Sequence, residues 1–327
     1  MRALICGIGG QDGGYLAQFL LGKGYEIFGS SRDVHLMSGR GLHILGIANQ
    51  VVLRSMAIND FRSVLTVLAE VQPDEVYNLA GQSSVGLSFE QPVETMESIA
   101  IGTLNLLEAI RFLNPAIRLY NAGSSECFGD TGDALADETT AFRPRSPYAV
   151  AKATAFWQVA NYREAYKLHA SSGILFNHES PMRPELFVTR KIVASACRIK
   201  NGSQETLTLG DIDIFRDWGW APDYVQAMWA MTQQPAGGDY VVATGKTVSL
   251  SYFIERVFAE LGLDWHQHVV SNPKLYRPSD IRQSHANPAR TRAVVGWRHT
   301  LEVEDVVREM VKVQLHTSSP QLTTKQR

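Results

Sequence analysis

Short apolar runs alternate with amphipathic helical patterns along most of the chain. Apolar runs predict strands at residues 3–6, 25–30, 75–80, 117–122, 171–177 and 239–244. Apolar positions at helical spacing predict helices at residues 15–20, 61–71, 93–113, 224–231, 250–261 and 301–313. Strands that alternate with helices in this way predict an α/β fold with a doubly wound parallel sheet.

A glycine-rich turn follows the first predicted strand and precedes a helical pattern. Gly7, Gly10 and Gly13 are three residues apart, and Gln11 and Asp12 lie between the last two. Glycines let the backbone approach a pyrophosphate closely, and the free amides of a helix start attract its charge. The turn therefore predicts a Rossmann-type dinucleotide site, with an ordinary glycine turn as the alternative.

The end of the second predicted strand bears on the choice of dinucleotide. NAD enzymes carry an acid there that binds the adenosine ribose, but this chain has Ser31 and Arg32. An arginine can pair with a 2′-phosphate, which favours NADP. Asp33 could restore the acid if the register shifts, and a solvated surface arginine is the remaining alternative.

Four residues in the middle of the chain form a candidate catalytic set. Ser124 and Glu126 follow a predicted strand, at the edge where open parallel sheets bind ligands. Tyr148 and Lys152 are four residues apart on a predicted helix and share one face. An ammonium beneath the phenol would favour a phenolate, which can accept a proton from a sugar hydroxyl. The alternatives are a tyrosine packed on a lysine stem and an exposed loop carboxylate.

Composition narrows the class of protein further. The chain has 327 residues and a net charge of −2, which gives no indication of nucleic-acid binding. Cys6, Cys127 and Cys197 are scattered, which indicates reduced, buried thiols in a cytoplasmic protein and offers no metal site. No apolar run approaches membrane-spanning length, so we expect no membrane partner.

The domain organisation follows from the order of the patterns. Residues 1–176 are predicted to form a dinucleotide-binding Rossmann domain, to which residues 215–245 return. Residues 177–214 and 246–315 are predicted to form a smaller, interleaved α/β lobe that binds substrate. The polar residues 316–327 are predicted to be a frayed tail.

Several long motifs extend this interpretation over nearly the whole chain. They are Gly10-Gln-Asp-Gly13, Val71-Gln-Pro-Asp-Glu-Val-Tyr-Asn-Leu79, Pro144-Arg-Ser-Pro-Tyr-Ala-Val-Ala-Lys152, Gly173-Ile-Leu-Phe-Asn-His-Glu-Ser-Pro181, Phe187-Val-Thr-Arg-Lys191 and Arg216-Asp-Trp-Gly219. With them the chain closely resembles the GDP-mannose 4,6-dehydratases, nucleotide-sugar enzymes of the extended short-chain dehydrogenase/reductase superfamily.

The resemblance implies conversion of GDP-mannose to GDP-4-keto-6-deoxymannose, with loss of water and internal hydride transfer through NADP. In this implied mechanism Tyr148 takes the O4 proton, and Lys152 holds the phenolate and the nicotinamide ribose. Ser124 hydrogen-bonds the O4 region. Glu126 removes the C5 proton and returns it to the departing C6 hydroxyl.

The resemblance also implies the ligand contacts. Those to the cofactor are Gly7, Gly10, Gln11, Asp12, Gly13, Arg32, Leu79, Ala80, Gln82, Ser83, Tyr148, Lys152, His178 and Arg183. Those to the substrate are Ser83, Ser124, Glu126, Asn177, Val188, Lys191, Arg216 and Arg277, the two arginines gripping the diphosphate.

Some positions depart from the family pattern. Ala57-Ile58 replaces Asp-Leu, so the adenine contact is lost or supplied by Asn59 or Asp60. Trp220 replaces a histidine and could reshape the sugar pocket, which leaves open another GDP-sugar such as a GDP-manno-heptose.

The segment 33–43 is shortened, which favours a homodimer of paired helices over a homotetramer.

The residues by themselves leave two other functions possible. One is an NADP-dependent 4-reductase or 4-epimerase that retains Glu126, and the other is a non-catalytic nucleotide-sugar or NADP-binding protein.

Overall fold

A seven-stranded parallel sheet lies at the centre of the protein, whose structure is a computed structural model that describes residues 1–37 and 39–318. Its strands are β1 Arg2–Cys6, β2 Glu26–Ser31, β3 Val51–Ser55, β4 Glu75–Asn78, β5 Arg118–Ala122, β6 Ala170–Leu175 and β10 Asp239–Val242. Across the sheet the order is β10-β6-β5-β4-β1-β2-β3, and each neighbouring pair is parallel. The predicted α/β fold with a doubly wound sheet is confirmed.

Helices cover both faces of this sheet. One face carries α1 Gln11–Gly22 and α9 Ala221–Thr232, and the other carries α3 Phe61–Val71, α6 Gly102–Leu113 and α7 Pro147–Tyr166. Alternate side chains of β1 separate the two cores, because Ala3 and Ile5 belong to the first and Leu4 and Cys6 to the second. Burial on both faces explains why this strand is a continuous apolar run in the sequence.

A smaller lobe is built from the later part of the chain. Its strands are β7 Asn177–Glu179, β9 Phe215–Trp220 and β11 Thr247–Ser249, in the order β11-β9-β7, and the pair β8 Leu207–Leu209 and β12 Val269–Ser271. Its helices are α8 Val188–Lys200, α10 Leu250–Glu260 and α11 Val303–Ser318, which share one apolar core. The domain boundaries given above stay a prediction.

The predicted helix at residues 93–113 is interrupted. The structure has α5 Pro92–Met96, then a π-helical turn Glu97–Ile101, then α6. Gln82 donates its backbone N–H to the Ser98 hydroxyl of this turn at 3.2 Å, and a Cβ at Gly102 would lie 3.0 Å from the Ile58 side chain. The prediction of one regular helix was wrong, and such turns are frequent at functional sites. The other short helices are α2 Arg40–Ile44 and α4 Val85–Glu90.

Two further boundaries differ from the sequence prediction. The single strand predicted at 171–177 ends at Leu175, and the chain continues into β7 of the smaller sheet, so one apolar run serves two sheets. The predicted tail from 316 is wrong for its first three residues, because α11 runs through Ser318. Residues 319–327 lie outside the described part of the chain.

The three cysteines are buried and free of disulfides, as predicted. Burial raises the pKa of the Cys6 and Cys127 thiols to about 12 and that of Cys197 to about 11. Such thiols are inert as nucleophiles near neutral pH. Within residues 1–37 and 39–318, no helix combines the length and the apolar character needed to cross a bilayer.

Asp223 joins α9 to the segment that leads into α11, and its replacement should destabilise the protein. The buried carboxylate accepts hydrogen bonds from the Thr300 amide at 2.7 Å and the Thr300 hydroxyl at 2.8 Å. Asp223→Ala leaves the amide unpaired, so we expect a loss of roughly 3 kcal/mol in the free energy of unfolding. Thermal unfolding measures this loss. The exposed Asp133→Ala is the control, and equal melting temperatures for both variants would contradict the assignment.

Candidate active site

Strand β5 brings Ser124 and Glu126 to the carboxyl edge of the large sheet. The strand ends at Ala122, and Ser125–Phe128 form a single 3-10 turn. Ser124 caps this turn, and its hydroxyl accepts a hydrogen bond from the Glu126 amide at 3.3 Å. The cap holds the two side chains two residues apart on the wall of one cavity of about 400 Å³, called here the catalytic cavity.

Helix α7 brings Tyr148 and Lys152 to the same cavity. The helix begins with a proline in its first turn, and the Ser146 hydroxyl accepts the Ala149 amide at 3.1 Å. Lys152 is buried, and its Nζ atom donates to the Ala122 carbonyl oxygen at 2.7 Å. That atom lies 5.8 Å from the centre of the Tyr148 ring, so the predicted shared face exists.

Burial governs the titration of this pair. It raises the pKa of the Tyr148 phenol above its ordinary value, although a hydrogen bond from Ser124 and the charge of Arg183 act to lower it. Burial also lowers the pKa of Lys152 to about 8. Desolvation dominates the pKa of the phenol in this arrangement, where the ammonium is bound to the Ala122 carbonyl, and the stabilisation of a phenolate by the lysine stays a prediction.

Glu126 has the titration behaviour expected of an acid-base group. The half-buried carboxyl has its pKa raised by burial, and the charges of Arg216 and Arg277 oppose this while that of Asp280 adds to it. A raised carboxyl pKa moves the group towards the operating pH, where it can both accept and return a proton.

Two arginines line the catalytic cavity. Arg216 is 4% exposed, and Arg277 comes from the segment after β12. Asp280 Oδ1 lies 3.3 Å from Arg216 Nη2 and 3.3 Å from Arg277 Nη1. The sequence analysis missed Asp280, although its position three residues after Arg277 was the available signal. It holds both guanidinium groups at one place.

The glycine turn lines a second cavity of about 600 Å³, called here the glycine-turn cavity. Gly7 has φ of +85°, which favours glycine, and a Cβ on Gly13 would lie 2.5 Å from the Gly7 carbonyl oxygen. The turn therefore requires glycine at both positions. The first amides of α1 have no carbonyl partner within the helix, so they can bind an anion.

Every residue that the sequence predicted for the site lines at least one of these cavities. The catalytic cavity is lined by Ser83, Ser124, Glu126, Tyr148, Lys152, Asn177, His178, Arg183, Val188, Lys191, Arg216 and Arg277. The glycine-turn cavity is lined by Gly7, Gly10, Gln11, Asp12, Gly13, Arg32, Leu79, Ala80, Gln82, Ser83 and Arg183. Asp12, Leu79, Ser83 and Arg183 line both, so the two cavities share a wall. The roles assigned to these residues stay predictions.

An ion pair links the glycine turn to β7 beside this shared wall. His178 Nε2 lies 2.9 Å from Asp12 Oδ2, and His178 Nδ1 lies 2.8 Å from the Phe176 carbonyl oxygen. Both partners are acceptors, and donation from both ring nitrogens requires the imidazolium, the form that the raised pKa of His178 favours. Gln11 adds two contacts, since it donates to the His178 carbonyl at 3.2 Å and accepts from the Ser180 hydroxyl at 2.7 Å.

Similarity to known proteins agrees with this geometry. A sequence model of the family described as GDP-mannose 4,6 dehydratase matches residues 4–310. GDP-mannose 4,6 dehydratase 1 of Arabidopsis thaliana is 44% identical over 319 residues, which is 94% of this chain and 88% of that protein. The chain belongs to the GDP-mannose 4,6-dehydratase family. The predicted resemblance is confirmed.

Solved structures share the fold of this family member. UDP-glucose 4-epimerase from Thermus thermophilus, in complex with NAD, is 26% identical with a TM-score of 0.84, over 96% of this chain and 99% of that one. The RMD protein of Pseudomonas aeruginosa, complexed with NADPH, is 21% identical with a TM-score of 0.79, over 97% of this chain and 98% of that one. The latter similarity supports the fold alone.

The structure also locates the departures from the family pattern. Asn59 lines the glycine-turn cavity, whereas Asp60 caps α3 by accepting the Ser63 amide at 3.0 Å. Of the two proposed substitutes for the adenine contact, Asn59 is the one on the cavity wall. Trp220 packs against the core of the lobe and Trp218 lines the catalytic cavity instead. Trp220 is therefore not on the wall of the catalytic cavity, and its effect on the sugar pocket stays a prediction.

Among residues 1–37 and 39–318, no group of three or more His, Cys, Asp or Glu side chains is placed to hold a metal ion. The site contains side chains that can transfer protons and guanidinium groups that can bind anions.

The His178–Asp12 pair should make stability depend on pH in a defined direction. Burial disfavours the charged ring, but the Asp12 charge and hydrogen bond and the Phe176 carbonyl raise the pKa of His178. Its contribution is therefore fully present below about pH 6.5, the ordinary histidine pKa, and is lost as pH rises through the raised value. We expect His178→Phe, which keeps a ring against Tyr224, to cost roughly 3 kcal/mol at low pH and less at high pH.

Chemical or thermal unfolding of both proteins at a series of pH values checks this prediction. His266→Phe, which removes a histidine paired with Asp264 at the surface, is the matched control and should change stability little at any pH. A gap between wild type and His178→Phe that stays constant across pH would mean that folding does not raise the pKa of the His178 ring.

Proposed function

We propose that this protein is a GDP-mannose 4,6-dehydratase that uses NADP and produces GDP-4-keto-6-deoxymannose with loss of water. The observation that carries the proposal is the presence of Glu126, with its raised pKa, in the same cavity as Ser124, Tyr148 and Lys152. Removal of the C6 hydroxyl of a hexose needs a base at C5 in addition to groups that act at O4. This set supplies both.

The glycine-turn cavity fits a nicotinamide dinucleotide. The Cβ-free turn at Gly7 and Gly13 and the amides of α1 suit a pyrophosphate, and Arg32 at the end of β2 suits a 2′-phosphate, which supports NADP. When bound, the dinucleotide supplies the hydride acceptor and donor of a redox-neutral reaction. Tyr148, Lys152, His178 and Arg183 would hold its reactive end.

The proton transfers are assigned to the protein's own residues. Tyr148 accepts the proton of the O4 hydroxyl, and Ser124 donates a hydrogen bond to that oxygen. Lys152 places a positive charge next to the phenol and stabilises it when it loses its proton. Glu126 accepts the C5 proton, which is acidic once C4 is a ketone, and donates it to the C6 hydroxyl that leaves as water. The proton that Tyr148 took from O4 remains to reprotonate C5, which completes the saturated product and restores the starting form of the site.

The other lining residues would hold the sugar nucleotide. Arg216 and Arg277 bind the diphosphate, because planar guanidinium groups match phosphate oxygens, and Asp280 keeps the two groups together. Lys191, whose Nζ donates to the Thr208 carbonyl at 2.8 Å, lies further along the same wall. Ser83, Asn177 and Val188 complete the contacts to the substrate.

We also propose that the protein is a homodimer. Helix α7 carries Val150 and Trp157 at its surface, and Trp157 is 62% exposed. Large apolar side chains in such a position favour association with a second copy through paired helices.

Glu126→Gln should abolish turnover while leaving the fold and ligand binding intact. Glutamine keeps the size of the side chain but cannot accept the C5 proton, so we expect a rate at least about 100-fold lower. The measurement is mass spectrometry of GDP-mannose incubated with the enzyme and catalytic NADP. Wild type should convert the sugar to a product lighter by one water, without net formation of NADPH.

Glu164→Gln, on the exposed side of α7, is the matched control and should retain wild-type turnover. Full activity of Glu126→Gln would remove the base from the mechanism. Turnover that consumes stoichiometric NADPH would favour a reductase instead.

The activity should fall on the acidic side at a pH set by Glu126. Burial raises the pKa of this carboxyl above the ordinary value of about 4.3. The ionised form accepts the proton, so kcat/KM should decline as pH falls through the raised pKa. A pH profile of kcat/KM, with thermal unfolding at each pH to exclude loss of structure, measures this. An acidic limb at the ordinary glutamate pKa would contradict the raised value.

A further inference from the structure

The guanidinium that would bind a 2′-phosphate already has an anionic partner. Arg32 follows the last residue of β2, and its Nη2 atom lies 2.6 Å from Oε1 of Glu94 on α5. Both residues line the glycine-turn cavity, as does Glu97 in the π-helical turn that follows α5. A ligand phosphate that binds Arg32 would therefore meet a carboxylate at the same place.

Asp33, the acid that the sequence places just after β2, forms local hydrogen bonds instead. Asp33 Oδ1 accepts the His35 amide at 2.8 Å and the Leu36 amide at 3.4 Å, so it caps a turn. Asp33 is not on the wall of the glycine-turn cavity, whereas Glu94 is. The cavity wall thus carries a carboxylate beside Arg32 that comes from α5, 62 residues later in the chain.

We propose that Glu94 determines the preference of this chain between NADP and NAD. It competes with a 2′-phosphate for Arg32, and it offers an acceptor to the 2′-hydroxyl of NAD. The site then holds one group suited to each dinucleotide and accepts both. This inference rests on the proposed function, because it requires a nicotinamide dinucleotide in the glycine-turn cavity.

The exposure of the pair sets the size of the effect. The Arg32 side chain is 75% exposed and that of Glu94 is 46% exposed, so solvent screens their attraction and a phosphate can replace the carboxylate. The carboxylate must leave the guanidinium before the phosphate can bind it, and breaking this ion pair weakens NADP binding. Removal of its charge should therefore tighten NADP binding by roughly fivefold. The same change replaces a charged acceptor of the 2′-hydroxyl with a neutral amide oxygen, which is a weaker acceptor, so NAD binding should weaken.

Direct binding measurements test the proposal. Dissociation constants of NADP and NAD are determined by calorimetry for wild type, Glu94→Gln and Glu97→Gln. Glu97 is the matched control, because it lines the same cavity but lies outside the ion pair. We expect Glu94→Gln to raise the NADP-to-NAD affinity ratio by roughly fivefold or more, and Glu97→Gln to leave the ratio near that of wild type.

The same substitution in an Arg32→Ala variant tests whether the change in NADP affinity depends on Arg32. In Arg32→Ala, the additional Glu94→Gln change should no longer tighten NADP binding, because the competition has been removed. An unchanged ratio in Glu94→Gln, or an equal change for both dinucleotides, would overturn the proposal and leave the dehydratase assignment standing. A failure of every variant to bind either dinucleotide would overturn it together with the cofactor assignment.

Discussion

The partly buried pairing of Asp12 with His178 is the interaction on which the rest of the site depends. It fixes the start of α1, and with it the glycine turn, to the first strand of the smaller sheet. Gln11 reinforces the same junction through the His178 carbonyl and the Ser180 hydroxyl. Asp12 lines both cavities and His178 lines the catalytic cavity, so the pair lies where the two cavities meet.

The parallel sheet supplies the second constraint. Consecutive strands end at one edge, so β5 and the start of α7 bring Ser124, Glu126, Tyr148 and Lys152 together although they are far from the glycine turn in sequence. Burial at this edge changes the chemistry of the side chains. It raises the pKa of Glu126 and lowers that of Lys152 to about 8, two shifts that bring ordinary residues towards neutral pH.

Local patterns predicted most of the fold and the membership of the site. The glycine turn, the apolar strands and the tyrosine-lysine spacing each depend on neighbours in sequence, and all lie where predicted. Contacts between residues that are far apart in sequence could not be predicted from such patterns. The pairing of Arg32 with Glu94 and the desolvation of Tyr148 arise only when distant segments meet. The break after Leu175 has the same origin, since β7 is defined by its pairing with β9.

The shared wall of the two cavities has a thermodynamic consequence. Asp12, Leu79, Ser83 and Arg183 line both, so a ligand bound in one cavity would order side chains that a ligand in the other would also contact. Occupancy of the two cavities is then linked, and linkage is reciprocal. Whatever factor the dinucleotide contributes to the affinity for the sugar nucleotide, the sugar nucleotide returns to the dinucleotide. The affinity of the protein for one ligand therefore depends on whether the other ligand is bound.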